Sequence, residues 1–401
     1  MTGLLLTFGV ALLLAVATSD LAARSPLSST SVFLAVGLVA GPLGLDVIHL
    51  HGSVVEGISV VALYVILFTD GQEAPWADLR RHWRVSARAL VIGMPLTLVL
   101  IAALGHWVAG LPWPAALVLG AVLAPTDPVF ASALVGRDDV PREVRHVLNI
   151  ESGLNDGLAL PAVLVLIGTA GGNPVGRSTD LPTLLLELVV GVALGLAVPF
   201  ATWLLLRIPA FGSGQVHRPL GHIAVAVILF ALCQATGANA FVAAFVAGST
   251  IGSLDSTATA AFRRTGERVS EMLLGAALLA FASLLDVDLF ATAGVLGFAF
   301  AVLVIVVSRP VPVTAVLVGT GLSVRQRFTL AWFGPKGFAS VAYAAIVAFS
   351  DMPHAREVLA LTAVTVLVSA LAHSSTDLFV AEKLSEEVRD TEEPDHPPVP
   401  A

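Results

Sequence analysis

Charge is the first thing this chain is short of: Asp, Glu, Lys and Arg make up only 12% of its 401 residues. A soluble domain carries about 25%, whereas here 56% of residues are hydrophobic and the mean hydropathy is +0.89. That balance excludes a large soluble domain and points to a polytopic membrane protein. Cysteine is nearly absent, and the single Cys233 rules out an intrachain disulfide. Met1 to Leu21 lacks a basic n-region, so it is expected to be a span and not a cleaved signal peptide. Nor is there a basic surplus for nucleic acid. The formal charge is -8, and the segment from Glu382 onward, with seven acids and two bases, supplies -5 of it. The histidines are scattered without metal-ligand spacing. His146 and His222 are candidate pH sensors, with an interfacial or core role as the blander alternative.

What the chain does have is a series of apolar runs long enough to cross a bilayer, roughly thirteen in all. They lie near 3–22, 29–48, 54–70, 85–109, 112–135, 144–170, 181–207, 218–236, 238–255, 268–286, 289–318, 328–350 and 356–380. The eleventh is interrupted by Arg309, Pro310 and Pro312 and counts as one span or two. Arginines test the count. They fall after odd-numbered runs, as at Arg24, Arg80, Arg81, Arg84, Arg137, Arg207, Arg263 and Arg325, with Arg177 and Arg356 as exceptions. That alternation is the positive-inside pattern. It predicts a multi-pass protein of the cell membrane with its N-terminus outside and its C-terminus in the cytoplasm.

No linker divides the body, so one membrane domain is expected over 1–384: a first repeat at about 1–172, a connector helix at about 181–207 and a second repeat at about 217–381. The acidic, proline-rich segment 385–401 reads as a disordered cytoplasmic tail. The fold class expected is therefore all-α, two inverted six-helix repeats around a connector.

Two runs are broken by proline. Pro125 and Pro128 flank Thr126 and Asp127, and Gly334-Pro335-Lys336-Gly337 interrupts the twelfth run. Each proline removes a backbone donor and clashes one turn back. Loosened backbone at bilayer depth survives only where protein or a water-filled cavity satisfies it. Breaks at matching places in inverted repeats are the best sequence pointer to a transport site; a pair of unrelated kinks is the alternative.

The sixth run carries Glu151, Ser152, Asn155 and Asp156 amid Ala, Leu and Gly. An ionisable group at this depth is a functional-site hypothesis by default. Residues four apart share a helix face, so Glu151 lies over Asn155 and Ser152 over Asp156. Gly153 and Gly157 form a small-residue strip that admits a close neighbour, and the broken helix is the expected one. A carboxylate, a hydroxyl and freed carbonyls are oxygen ligands for a hard alkali cation, and Asp156 can hold cation or proton in turn. Glu151 needs a cationic partner. Arg309 is the expected one, with snorkelling of Arg309 to an interface as the alternative. Lys336 is expected at the crossing, against helix-end dipoles.

At these residues the sequence resembles the NhaP-type monovalent cation/proton antiporters. The matching motifs are Thr126-Asp127-Pro128, Glu151-Ser152 with Asn155-Asp156, Arg309-Pro310, and Trp332 to Gly337. Ile66 to Gly71 with Leu79-Arg80-Arg81, and Ala240 to Gly248, also look like the family's. The resemblance covers the whole membrane domain. It implies the antiporter fold with crossed broken helices, a core domain and a dimerisation domain, homodimers in the lipid bilayer, and elevator-like alternating access. It implies an alkali cation on Asp156, with Ser152 and the Thr126 backbone as further ligands, and Asp127 and Asn155 shaping the crossing. The Asn-Asp pair implies electroneutral one-for-one exchange. Sodium is the first expectation for the cation, with potassium or lithium as alternatives. No cofactor and no protein partner beyond the second copy is implied. Asp70 matches a place where some members add a carboxylate ligand, or it caps its helix. The chain departs from the family at Lys336, where Arg is usual. A cation channel and, more remotely, an intramembrane aspartyl protease are the readings from other classes; a channel is expected to show an ion-lining ring or filter sequence, and the protease gives the twin breaks and Asn155 no role.

Overall fold

A computed structural model describes residues 2–18, 29–126, 142–173, 179–208, 218–254 and 256–392, apart from some side chains within them, Ser152 among these. Every regular element in these residues is helical. The first part comprises α1 (Thr2–Ala17), α2 (Ser29–Ala40), α3 (Gly52–Glu73), α4 (Trp76–Arg88), α5 (Met94–Trp107) and α6 (Trp113–Leu123). Then come α7 (Arg142–Thr169), α8 (Leu181–Leu206), α9 (Arg218–Thr236), α10 (Ala240–Leu254) and α11 (Ser256–Ala282). The last are α12 (Val287–Leu303), α13 (Pro310–Val316), α14 (Val324–Trp332), α15 (Phe338–Ala348) and α16 (Ala355–Glu392). Each apolar run read from the sequence overlaps one of these helices or a broken or joined pair within the described residues; the fifth run overlaps α6, and its part beyond Thr126 lies outside them. The chain is an all-α, multi-pass membrane protein.

Two joins were not visible beforehand. A π-helical turn, Ala89–Gly93, fuses α4 to α5, and another, Val304–Ser308, leads through Arg309 into α13. The doubtful eleventh run is therefore one path, Val287–Val316, kinked at Gly294, where the backbone is non-helical with φ of 56°. Pro310 is tolerated because it opens α13, where its missing N–H is not needed. Helix starts follow local chemistry: Asp180 caps α8 by accepting from the Thr183 N–H at 3.1 Å. Ser323 and Gln326 form a reciprocal capping box at α14.

The core lies where small residues let backbones touch. In α10, Phe241 through Ile251 are all buried, and a Cβ on Gly248 would collide with the Phe68 carbonyl of α3. A Cβ on Gly71 would collide in turn with the Phe245 carbonyl. By contrast α8 exposes Leu185, Leu186, Val189 and Phe200, and α1 exposes Leu5, Leu6 and Leu13, apolar faces suited to lipid. Trp83 and Trp107, at the two ends of the 25-residue apolar stretch Trp83–Trp107, are also exposed, as interfacial tryptophans are.

Two expectations change. α16 does not stop near residue 380 but runs to Glu392, so the segment expected as a disordered tail from 385 starts as helix. Glu and Lys are good helix formers, and the continuing helix carries them past the apolar part. Among the described residues, the neighbour of the Gly153–Gly157 strip is also not a broken helix. It is α10: a Cβ on Gly153 would strike the Phe245 ring, and one on Gly157 would lie 3.0 Å from the Val242 side chain.

Candidate cation and proton site

The site is built where α7 passes both breaks. α6 ends at Leu123 and the chain is non-helical at Pro125 and Thr126. α14 ends at Trp332, and Phe333 to Gly337 are non-helical before α15 begins. Lys336, buried, donates from Nζ to the carbonyls of Ala124 at 3.3 Å and Pro125 at 3.4 Å. These carbonyls end α6 and point their negative dipole ends at the ammonium group. The two interruptions therefore meet, one supplying the cation and the other the acceptors.

On α7, Glu151, Asn155 and Asp156 are buried, with relative exposures of 4%, 1% and 3%. Glu151 Oε1 receives a charge-assisted bond from Arg309 Nη1 at 2.8 Å, and Arg309 Nη2 donates to the Leu330 carbonyl at 3.2 Å. Arg309 therefore does not snorkel. Its guanidinium lies against Gly334, where any Cβ would collide with it. Only glycine lets the second break close over the ion pair.

Asn155 Nδ2 donates to the Thr126 hydroxyl at 2.8 Å, tying α7 to the first break. Its Oδ1 has no hydrogen-bond partner among the described residues, which leaves a buried amide oxygen beside the Asp156 position. The Asp156 carbonyl accepts from the Tyr343 hydroxyl of α15. The neighbouring residues are placed unequally. Ser152 lies in α7 one turn before Asp156, its side chain outside the described residues, and Asp127 lies outside them altogether. Asp70 is partly exposed in the last turn of α3, and Thr69 beside it bonds Ser270 of α11 at 3.0 Å. His222 packs against Phe262, ring centroids 4.8 Å apart.

Sequence reasoning missed a second layer. The Lys336 backbone N–H donates to Ser369 Oγ of α16 at 2.8 Å, and that hydroxyl lies 3.1 Å from His373 Nδ1. His373 Nε2 lies 3.1 Å from the Trp332 carbonyl. Nδ1 also lies 2.9 Å from the Ser369 carbonyl, so each ring nitrogen faces a backbone acceptor. One histidine and one serine thus hold both lips of the second break. Ser369 and His373 are four apart, a shared-face spacing that marks them only once the break is known to lie opposite.

The chain is similar to several known proteins. The family described as sodium/hydrogen exchanger, transmembrane, matches residues 9–381. The K(+)/H(+) antiporter NhaP of Alkalimonas amylolytica is 24% identical over 403 residues, covering 98% of this chain and 68% of that protein. NhaP2 of Shewanella baltica, also a K(+)/H(+) antiporter, is 24% identical across 89% of this chain and 62% of its own length. The chain thus spans about two-thirds of these relatives. Na(+)/H(+) antiporter 2 of Zygosaccharomyces rouxii is 32% identical over 178 residues, 41% of this chain and 22% of that one. Among solved structures, the sodium proton antiporter MjNhaP1 of Methanocaldococcus jannaschii superposes with a TM-score of 0.79 at 21% identity. That match covers 96% of this chain and 99% of the other.

Proposed function

The chain belongs to the sodium/hydrogen exchanger family, and from that premise we propose that it exchanges a monovalent cation for protons at Asp156. The observation that carries the reading is the placement of Asn155 and Asp156: one buried turn of α7 bonded to the first break through Thr126 and to α15 through Tyr343. A carboxylate buried at bilayer depth is costly to leave charged and alone. Asp156 crosses holding either a cation or a proton, and the two compete for it. The loaded forms then carry the same net charge, so exchange is electroneutral, one for one. Asn155 Oδ1, Ser152 and the Thr126 backbone are proposed as further oxygen ligands, with Asp127 and Asn155 shaping the crossing and Asp70 as an added carboxylate at the inner end of α3. Glu151 with Arg309 is internally neutral and acts as structure. Sodium is the proposed cation, with potassium as its competitor. We propose two inverted repeats, a homodimer in the cell membrane with a cytoplasmic C-terminus, and alternating access in which the crossing moves as a unit. These readings rest on the family, the paired breaks and the one-sided arginines.

The test is transport by the full chain in liposomes carrying a pH-sensitive dye, with sodium and potassium added in turn. Cation-driven proton release that disappears in Asp156→Asn supports the assignment. Release that persists in that variant moves the site elsewhere. Cation flux that carries current without proton movement makes the protein a channel.

A further inference from the structure

We propose that Tyr343 is a positioning residue that sets the affinity of Asp156 for its cation; this rests on the reading of Asp156 as the exchanging carboxylate. Tyr343 is fully buried in α15, in a stretch otherwise made of Phe, Ala, Ser, Val and Ile. A phenol hydroxyl is costly to bury without a partner, and phenylalanine would fill the same volume. The hydroxyl has its partner on another helix, the backbone carbonyl of Asp156. The ring stands edge-on to Phe241 of α10, centroids 6.5 Å apart at 63°, which limits where the hydroxyl can point.

It bonds α7 one residue before a point where the helix's own ladder is weakened. Pro161 lies inside α7 and has no N–H, so the carbonyl one turn back, at Gly157, lacks its helical donor. The peptide that lacks its donor is Gly157–Leu158, next to the one Tyr343 bonds; the Asp156 carbonyl keeps its place in the α7 ladder, and Tyr343 adds a second donor to it from another helix. The orientation of a short side chain follows its backbone. A bond to the Asp156 carbonyl thus fixes the direction of the carboxylate relative to the half-helix that leaves the second break. Tyr343 touches neither cation nor proton in this scheme; it acts through Asp156.

Tyr343→Phe removes only the hydroxyl. A single hydrogen bond is expected to change affinity about fivefold. The half-saturating cation concentration in proteoliposomes at fixed pH should rise by that factor, with the maximal rate per purified protein within about twofold. The rise in unfolding temperature that the cation produces in the detergent-purified protein should shrink in parallel. A merely structural role would lower unfolding temperature and maximal rate together and leave half-saturation unchanged; that result overturns the proposal. Should Tyr343→Phe fail to fold, Phe241→Leu decides. It keeps the hydroxyl but frees the ring, so half-saturation should rise by less than fivefold, and an unchanged value overturns the proposal. Asp156→Asn run alongside separates the two readings. Full exchange in that variant removes the site assignment, whereas loss there with unaltered half-saturation in Tyr343→Phe removes Tyr343 alone.

Discussion

The ammonium group of Lys336 closes the end of α6, lying 3.3 Å from the Ala124 carbonyl and 3.4 Å from that of Pro125. One break therefore supplies what the other lacks. Lys336→Met keeps most of the length and removes the donor, leaving both carbonyls buried without it. Each such group costs roughly 1–3 kcal/mol. The unfolding temperature of the purified variant should fall by several degrees. Lys336→Arg restores donors through a planar fork and should recover most of that loss. A Met variant as stable as the parent would mean that the contact is incidental.

Glu151 and Arg309 give a different signature. Truncating one partner of a buried pair leaves a lone charge and is expected to cost about 3–5 kcal/mol. Glu151→Leu should therefore yield little folded protein by fluorescence-detected size-exclusion chromatography. The double variant Glu151→Leu/Arg309→Leu, which leaves no lone charge, should yield more than Glu151→Leu alone. If the double variant is worse than either single one, the pair contributes more than mutual neutralisation.

Competition for one carboxylate has a pH dependence of fixed sign. As pH falls, protons occupy Asp156, and the half-saturating cation concentration should rise, approaching about tenfold per pH unit once the proton is the dominant ligand. Clamping the membrane voltage with an ionophore should leave the rate unchanged. A rate that follows voltage would rule out the one-for-one stoichiometry.

The packing of α7 on α10 can be tested by paired changes. Gly153→Ala drives a methyl into the Phe245 ring and should destabilise by about 1–3 kcal/mol. Adding Phe245→Leu should return part of that in a thermal-unfolding measurement. No recovery would mean that another element bears on Gly153.

How much of this could be read in the sequence depended on the kind of signal. The broken segments were legible because proline has a local, obligatory effect on backbone. Glu151, Asp156, Arg309 and Lys336 stood out because charge is rare at bilayer depth. The strip of Gly153 and Gly157 announced a close neighbour but not which one, since an absent side chain carries no address; α10 was recognisable only in three dimensions. Tyr343, Ser369 and His373 escaped because each acts on a backbone group of a distant segment, and backbone groups are alike at every position. The π turns left no mark either, since an extra residue in a helical turn looks like ordinary helix.

The contact between Gly334 and the Arg309 guanidinium also bears on how such a protein can evolve. Position 334 is closed to every side chain while Arg309 is present, and Arg309 is tied to Glu151. Single substitutions at any of the three meet a penalty that only a simultaneous second change relieves. Drift is thereby steered to the exposed apolar surface, as at Leu185, Val189 and Phe200, and the crossing changes by rare paired steps. Divergence among relatives of this chain should be counted separately in those two regions, because the same overall identity records very different evolutionary distances in each.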